Sequence, residues 1–241
     1  MSDSLVIIPT YNEKGNIDNI INEIFSLEKE FDILIIDDNS PDGTADIVKQ
    51  LIPKYSNRLF IEERPGKLGL GTAYILGFKW AINKKYDYIF EMDADFSHNP
   101  KDLIRLYNAC ANDGYDIAIG SRYIKGVNVV NWPISRVLMS YFASSYVRFI
   151  TGMDIKDTTA GFKCYKRHVL ERINLDKIKF VGYAFQIEMK FTAWKLGFKI
   201  VEVPIIFTDR SVGTSKMSKD IFKEAVFGVI SLKLRSIFKK Y

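Results

Sequence analysis

Three short apolar runs in the first hundred residues are each followed by a cluster of polar or acidic side chains. The runs cover residues 5–9, 31–36 and 86–90 and are rich in the β-branched and aromatic residues that favour strands. Between them, apolar residues recur at spacings of three and four, as in residues 17–25, which predicts helices. Strands that alternate with helices predict a parallel sheet, so we expect an open α/β fold.

The third of these runs leads directly into the sequence Asp93-Ala94-Asp95. In open α/β sheets, ligands bind at the carboxyl ends of strands, and two carboxylates there can converge on a hard cation such as Mg²⁺ or Mn²⁺. The alternative is that Asp93 caps the next helix and that Asp95 is solvated. The motif alone leaves both interpretations open.

Two further clusters indicate a nucleotide ligand. Asp37 and Asp38 follow the second run, where carboxylates suit the N–H groups of a nucleobase or the hydroxyls of a ribose. Residues 66–73 form a glycine-rich loop with Lys67 at the start of a long helix, which makes an anion site plausible. This loop matches neither the dinucleotide-binding nor the P-loop pattern, so both of those classes are disfavoured.

Length and composition indicate one domain. The 241 residues are 47% hydrophobic and 26% charged, enough for one large core. Cys110 and Cys164 match no metal-ligand spacing, and no secretory leader precedes Leu5, so we expect a reducing, cytosolic compartment.

The net charge is concentrated in the tail. Residues 205–241 contain eight Lys or Arg and three Asp or Glu, a difference of five that equals the formal net charge of +5 of the whole chain. Residues 219–241 predict a basic amphipathic helix, which is interrupted by charge too often to span a bilayer. Residues 137–147 form a second, uncharged helical stretch. Each segment can pack on the core or face lipid.

Seven short motifs follow one another along the chain, and each is modest alone. The motifs are Pro9-Thr10-Tyr11-Asn12-Glu13, Asp37-Asp38-Asn39-Ser40-Pro41-Asp42-Gly43-Thr44, Lys67-Leu68-Gly69-Leu70-Gly71, Asp93-Ala94-Asp95, Gly120-Ser121-Arg122-Tyr123, Thr159-Ala160-Gly161-Phe162 and Arg210-Ser211-Val212-Gly213-Thr214-Ser215-Lys216. In this order they resemble the inverting nucleotide-sugar glycosyltransferases of family two, and among these the dolichyl- and polyprenyl-phosphate mannose synthases. The resemblance runs from about Leu5 to Lys219.

The resemblance implies a GT-A fold, which is a Rossmann-like α/β fold with a mixed, mostly parallel sheet and helices on both faces. This catalytic domain would cover residues 1–218, and residues 219–241 would be an appended helix. The implied reaction transfers mannose from GDP-mannose to a dolichyl or polyprenyl phosphate with inversion, with Mg²⁺ or Mn²⁺ as cofactor. A membrane surface is an implied partner and nucleic acid is not.

The resemblance also assigns roles to individual residues. Asp93 and Asp95 would bridge the metal to the diphosphate, whereas Ser97 stands where many bacterial and archaeal relatives have a glutamine, so water can complete the metal shell. The residues that would hold the nucleoside or lie beside it are Pro9, Tyr11, Glu13, Asp37, Asp38 and Lys67. The residues that would gather phosphate charge from donor and acceptor are Arg122, Arg136, Arg210 and Lys216.

The expected reaction needs no general base, because a lipid phosphate with a second pKa near 6 is already an anion at neutral pH. His98 and His168 are therefore interpreted as structural. Asp157 would act as a base only if the acceptor were a hydroxyl, and otherwise it would order the Thr158-Thr159 turn.

Several alternatives remain open from the sequence. A family-two enzyme could use another donor, such as UDP-glucose, or a carbohydrate hydroxyl as acceptor. A nucleotide-sugar-binding protein without turnover and a sugar-phosphate nucleotidyltransferase are further possibilities. For the favoured lipid acceptor, we expect a peripheral enzyme at the cytoplasmic face of a membrane, because the prenyl chain lies in the bilayer.

Overall fold

The structure is a computed structural model that describes residues 2–182, 184–209 and 219–238, with side chains from residue 227 to 236 in the last range. The strands are β1 Ser4–Thr10, β2 Asp32–Asp37, β3 Leu59–Glu63, β4 Tyr88–Glu91, β5 Ile117–Ser121, β6 Val129–Val130, β7 Lys163–Lys166, β8 Ile200–Pro204 and β9 Phe207–Thr208. The α-helices are α1 Ile17–Phe25, α2 Thr44–Leu51, α3 Leu70–Asn83, α4 Asp102–Ala111, α5 Ile134–Thr151, α6 Arg167–Arg172, α7 Ala184–Lys195 and α8 Lys219–Phe238.

Seven strands form one sheet in the order β3-β2-β1-β4-β7-β5-β8, and β6 pairs with β9 in a separate ribbon. Within the large sheet only β7 is antiparallel to its neighbours, so the sheet is mixed and mostly parallel, as expected. The chain adds β2 and β3 on one side of β1 and then places β4 on the other side. This reversal is a topological switch point, where α/β sheets bind ligands beyond the carboxyl ends of their strands.

The hydrophobic core lies on both faces of the sheet. Leu5 and Ile7 of β1 pack on the face covered by α3 and α7, whereas Val6 and Ile8 pack on the face covered by α1 and α4. All four side chains are fully buried. A strand buried on both faces reads as a continuous apolar run, which is why residues 5–9 lack polar alternation.

Two regions differ in detail from the sequence prediction. Residues 163–166 form the antiparallel strand β7, which is inserted between β4 and β5 and which no sequence pattern predicted. The predicted helix at residues 137–147 is confirmed and is longer, because α5 covers Ile134–Thr151. The short strand β6 precedes this helix at Val129–Val130.

The helix α8 packs against α5 and α7 through one of its sides. Val229 and Leu232 are buried in the core, and Lys233 Nζ donates to the Thr151 carbonyl at 3.0 Å. Phe227 and Leu234 lie on the opposite side and are 69% and 53% exposed. In the described ranges, no helix is both long enough and apolar enough to cross a bilayer.

Candidate active site

The loops after β1 and β4 leave the sheet side by side at the switch point. Ile7 of β1 lies opposite Glu91, the last residue of β4, and the Met92 N–H donates to the Ile7 carbonyl at 3.2 Å. The chain segments that carry Tyr11 and Asp93-Ala94-Asp95 follow directly. Two motifs that are 80 residues apart in the sequence therefore emerge at the same edge of the sheet.

The loop that carries the two carboxylates is conformationally constrained. The Asp93 side chain is 41% exposed, and Asp95 Oδ1 accepts the Ser97 N–H at 3.1 Å. Phe96 has a φ of +59°, which is unfavourable for a bulky side chain. Backbone strain of this kind persists where the surroundings enforce it, commonly at functional sites.

The donor set at this loop fits a magnesium or manganese ion. Among the described residues there is no group of three His, Cys, Asp or Glu arranged to hold a metal. Mg²⁺ commonly takes one or two carboxylates and completes its shell with water and substrate phosphate, so Asp93 and Asp95 satisfy its requirement. Ser97 is buried, and its backbone carbonyl accepts the Thr208 N–H at 3.2 Å.

Neither histidine is placed as a general base. His98 is buried and stacks on Phe162 at a ring distance of 4.8 Å. Burial lowers the pKa of His98 to about 4, so the imidazole is neutral near pH 7. His168 lies at the other edge of the sheet, with Nε2 3.2 Å from Asp116 just before β5.

Asp37 is fully buried and organises the loops on the nucleoside side. Its Oδ1 accepts hydrogen bonds from the Thr10 and Ser40 hydroxyls at 2.8 and 2.6 Å, and its Oδ2 accepts the Ser40 N–H at 2.8 Å. Both oxygens therefore bind groups of the protein itself. This carboxylate joins the end of β1 to the loop after β2.

Asp38 is paired with Arg64, a residue that the sequence analysis missed. Arg64 Nε donates to Asp38 Oδ1 at 2.6 Å, and the other guanidinium nitrogens donate to the Thr72 hydroxyl at 2.7 Å and the Gly69 carbonyl at 3.3 Å. Burial raises the pKa of Asp38 above its ordinary value by more than Arg64 lowers it. Arg64 thus connects Asp38 to the glycine-rich loop. Its only sequence signal is its position before Pro65-Gly66 at the end of β3.

The remaining predicted nucleoside residues are Pro9 within β1 and Tyr11, Glu13 and Lys67 on the neighbouring loops. Lys67 Nζ is 5.0 Å from the centre of the Tyr11 ring, which joins the first loop to the glycine-rich loop. The Glu13 N–H donates to the Thr44 hydroxyl at 3.0 Å, and Pro9 is half-buried within β1. The structure brings these residues together, and their contact with a nucleoside stays a prediction.

The glycines of the glycine-rich loop permit a close approach by residues 180 and 181. A Cβ atom on Gly71 would lie 2.7 Å from the Phe180 carbonyl, and Gly69 has a φ of +98°. The Gly71 N–H donates to the Val181 carbonyl at 2.8 Å. This donor is used inside the protein, so an anion at the loop would depend on Lys67 and the neighbouring N–H groups.

On the other side of the carboxylates, Arg122 is buried in a bidentate ion pair with Asp157. Arg122 Nε and Nη2 donate to the two carboxylate oxygens at 2.7 and 2.6 Å, and Nη2 also donates to the Thr159 hydroxyl at 2.8 Å. Burial alone would raise the pKa of Asp157, but the charge and hydrogen bonds of Arg122 outweigh it and hold the pKa below its usual range. The main partner of Asp157 is thus Arg122, which the sequence analysis did not foresee.

Arg136 lies beside this pair. Its Nη1 donates to both oxygens of Asp209 at 2.9 Å, and the β6–β9 ribbon brings Asp209 there. The guanidinium carbons of Arg136 and Arg122 lie 4.2 and 5.5 Å from the centre of the Trp132 ring. The sequence analysis also missed Trp132 and Asp209, and for Asp209 the reason is that its partner Arg136 is 73 residues away. Arg210 and Lys216 lie outside the described residues.

Comparison with known proteins identifies the family. The family model described as glycosyl transferase family 2 matches residues 5–174. A polyprenol monophosphomannose synthase from Mycolicibacterium smegmatis is 44% identical over 232 residues, which are 96% of this chain and 87% of that protein. An undecaprenyl-phosphate mannosyltransferase from Micrococcus luteus is 43% identical over 225 residues, which are 93% and 91% of the two chains.

Solved structures show the same fold at low identity. A mannosyltransferase from Pyrobaculum calidifontis in complex with GDP-Man and Mn²⁺ superposes with a TM-score of 0.62 at 15% identity, over 99% of this chain and 65% of that one. This chain thus spans slightly less than two thirds of that structure. A glucosyl-3-phosphoglycerate synthase from Mycobacterium tuberculosis, solved with Mn²⁺ and UDP, gives a TM-score of 0.66 at 16% identity, over 98% and 80%. The expected GT-A fold is confirmed, and the chain belongs to glycosyltransferase family 2.

Proposed function

We propose that this chain transfers mannose from GDP-mannose to the phosphate of a polyprenyl or dolichyl phosphate. One observation supports this most strongly. Asp93 and Asp95 follow β4, the proposed nucleoside residues follow β1, β2 and β3 on one side, and Arg122 follows β5 on the other side. The carboxylates thus lie between a candidate donor side and a cluster of guanidinium groups suited to a second phosphate. The names of the two relatives above 40% identity agree with this chemistry.

The chemical step is a displacement at the anomeric carbon of the sugar. An oxygen of the acceptor phosphate forms a bond to this carbon from the face opposite the donor. The bond from the carbon to the β-phosphate oxygen breaks, and its electron pair leaves with GDP. No proton is transferred, because the acceptor is already an anion at neutral pH.

The residues of the chain have two tasks in this reaction. Donor and acceptor both carry phosphate and repel each other, so cationic groups must hold them within reach. Arg122 and Arg136 are suited to this task because a guanidinium has five N–H donors, more than their contacts with Asp157, Thr159 and Asp209 use. Both are oriented by carboxylates, Arg122 by Asp157 and Arg136 by Asp209. Arg210 and Lys216 belong to the same proposed set.

A Mg²⁺ or Mn²⁺ ion held by Asp93 and Asp95 would act as a Lewis acid that stabilises the negative charge on the departing diphosphate. The two aspartates would anchor the donor at this point. The Asp157 carboxylate is engaged by Arg122, which favours a phosphate acceptor over a hydroxyl that would need a base.

We further propose that the enzyme works as a peripheral protein at the cytoplasmic face of a membrane. An apolar face of α5 and α8 supports this location. On each helix the exposed residues recur at spacings that place them on one side, as in interfacial helices. They are Ile134, Leu138, Phe142 and Phe149 on α5 and Phe227, Ile230 and Leu234 on α8. Arg235 follows Leu234 directly and is partly exposed, and each basic residue near an anionic leaflet contributes about 1 kcal/mol.

The proposal is tested by incubating the protein with Mg²⁺ or Mn²⁺, one donor and one acceptor, and measuring product masses. The donors are GDP-mannose and UDP-glucose, and the acceptors are a short polyprenyl phosphate and the corresponding polyprenol. We expect a product only from GDP-mannose with the phosphate. Transfer of glucose, or equal transfer to the polyprenol, would replace the proposed function by the corresponding alternative.

A further inference from the structure

Helix α7 carries three polar side chains inside the hydrophobic core. Gln186, Glu188 and Lys190 are between 1% and 4% exposed. Burying such groups is costly unless each one is hydrogen-bonded. Each of the three binds a different segment that supports the candidate active site.

Two of these side chains support the loops on the donor side. Gln186 Nε2 donates to Glu91 Oε2 at 2.7 Å, and Glu91 ends β4 two residues before Asp93. Glu188 Oε2 accepts the N–H groups of Lys179 and Phe180 at 2.8 and 2.9 Å. The segment after Phe180 is the one that packs against the glycine-rich loop.

The third side chain, Lys190, supports the acceptor side. Its Nζ donates to the Thr158 carbonyl at 2.9 Å and to the Ala160 carbonyl at 2.6 Å. These carbonyls flank Thr159, whose hydroxyl binds Arg122, and the same turn carries Asp157. A continuous series of contacts therefore runs from Lys190 through the turn of residues 157–160 to the Arg122 guanidinium.

Stability alone does not explain a lysine at this position. An apolar side chain of similar length would fill the space without the cost of burying a charge. Burial and the neighbouring ammonium of Lys163 lower the pKa of Lys190 well below its ordinary value, against the opposing effect of Asp157 and Glu91. The Nζ group does provide two N–H donors, which fix both carbonyls of the turn.

We propose that Lys190 is a positioning residue of the transfer reaction, which fixes the turn of residues 157–160 and thereby aims the Arg122 guanidinium at the acceptor phosphate. This inference rests on the proposed function, since it assigns Arg122 to the acceptor. Lys190 itself does not touch substrate. Its removal should therefore affect the acceptor more than the donor.

The test compares Lys190→Met and Lys190→Arg with Lys195→Met, which removes an exposed lysine from the same helix. For Lys190→Met we expect about a tenfold loss of kcat/KM for short polyprenyl phosphate, with the Kd for GDP-mannose changed less than about twofold. Lys190→Arg should recover part of this loss, and Lys195→Met should match wild type. Wild-type acceptor kinetics in Lys190→Met, or an equal loss of donor affinity, would overturn the proposal. If Lys190→Met does not fold, Lys190→Gln is judged by the same criteria.

Two further measurements test whether Lys190 acts through Arg122. In an Arg122→Lys background, Lys190→Met should lower kcat/KM for the short polyprenyl phosphate by less than about a further twofold. The reason is that the effects of two residues that act through the same contacts do not add. If the losses caused by Lys190→Met and Arg122→Lys added in full, Lys190 would not act through Arg122 and the proposal would be contradicted. In the ligand-free protein, the NMR signal of the Arg122 Nε–H group should shift in Lys190→Met and not in Lys195→Met. This signal reports on positioning even if the wild type fails to transfer mannose, so failure of the inference and failure of the proposed function are distinguishable.

Discussion

At the scale of single residues, the aspartates of the site differ in what surrounds them. Asp37 and Asp157 are fully buried, and each has its oxygens bound to neighbouring donors in the protein. Asp93 is 41% exposed at the edge of the sheet, and Asp95 is partly exposed. Replacing a buried aspartate should therefore change stability, whereas replacing Asp93 or Asp95 should change function.

The first prediction concerns Asp93→Ala and Asp95→Ala. Each variant should lose transfer by about 100-fold or more, because the diphosphate loses its electrostatic anchor, and each should unfold at the wild-type temperature. Asp113→Ala, at an exposed position after α4, is the control and should retain full activity. Metal-dependent transfer at the wild-type rate in both site variants would end the assignment.

The second prediction concerns Asp157→Asn, which leaves Arg122 as a buried charge without its partner. We expect a loss of about 3–5 kcal/mol in the free energy of unfolding, measured in denaturant. Asp209→Asn should cost at most about 1 kcal/mol, because its pair with Arg136 is partly exposed.

The same Asp157 pair gives the direction of a pH dependence. The lowered pKa of Asp157 means that its contribution to stability is complete above the ordinary aspartate pKa of about 3.9 and is lost as the pH falls through the lower folded value. Asp157→Asn should therefore lose less stability than wild type on acidification below pH 4. If the free energy of unfolding fell equally in wild type and in Asp157→Asn below pH 4, the pairing would be contradicted.

The third prediction is that lysine does not restore function at Arg122 or Arg136. A lysine ammonium cannot reproduce the planar contact of a guanidinium with a carboxylate or a phosphate. Arg122→Lys and Arg136→Lys should both lower kcat/KM for the acceptor, and Arg210→Lys is expected to do the same. Full activity of all three variants would mean that these residues supply only diffuse charge.

At the scale of elements, α8 is divided between core packing and the exposed apolar face. Leu232→Ala should cost about 2–5 kcal/mol of stability, because it opens a cavity against the core. Leu234→Ser, on the exposed side, should change stability by less than about 0.5 kcal/mol. Equal effects in denaturant unfolding would mean that the two sides are not distinct.

The exposed side gives a fourth prediction, on membrane binding. The combined variant Phe142→Ser, Phe149→Ser and Leu234→Ser should bind anionic vesicles more weakly in a sedimentation assay, and high salt should release the wild type. Transfer to a short, soluble acceptor should persist. Leu76→Ser removes a 37% exposed leucine from α3 and is the matched control. Equal vesicle binding by all of these proteins would refute the proposed membrane contact.

The elements also show which parts of the site were predictable from the sequence. Each strand and the acids after it form one local pattern, so the sequence predicted the edge that carries Asp37, Asp38, Asp93 and Asp95. The pairing of Arg122 with Asp157 spans 35 residues and that of Arg136 with Asp209 spans 73. These pairs depend on the insertion of β7 and on the β6–β9 ribbon. No local pattern encodes such long-range pairings.

At the scale of the whole molecule, the order of the strands separates two groups of charges. The acidic and glycine-rich loops follow β1, β2 and β3, whereas Arg122 follows β5 and Arg136 binds Asp209 just after β9. The strand β4 lies between them and carries the two carboxylates at its end. The account therefore predicts a donor on one side, an anionic acceptor on the other, and sugar transfer across β4.

The proposed transfer is tested most directly by identifying both of its products. Wild-type protein is incubated with GDP-mannose, Mg²⁺ or Mn²⁺ and a short polyprenyl phosphate, and the products are followed by phosphorus and proton NMR. The account predicts equal amounts of GDP and of a lipid phosphodiester whose mannose has the inverted, β configuration. Release of pyrophosphate, retention of the donor configuration, or mannose attached elsewhere than to the lipid phosphate would contradict it.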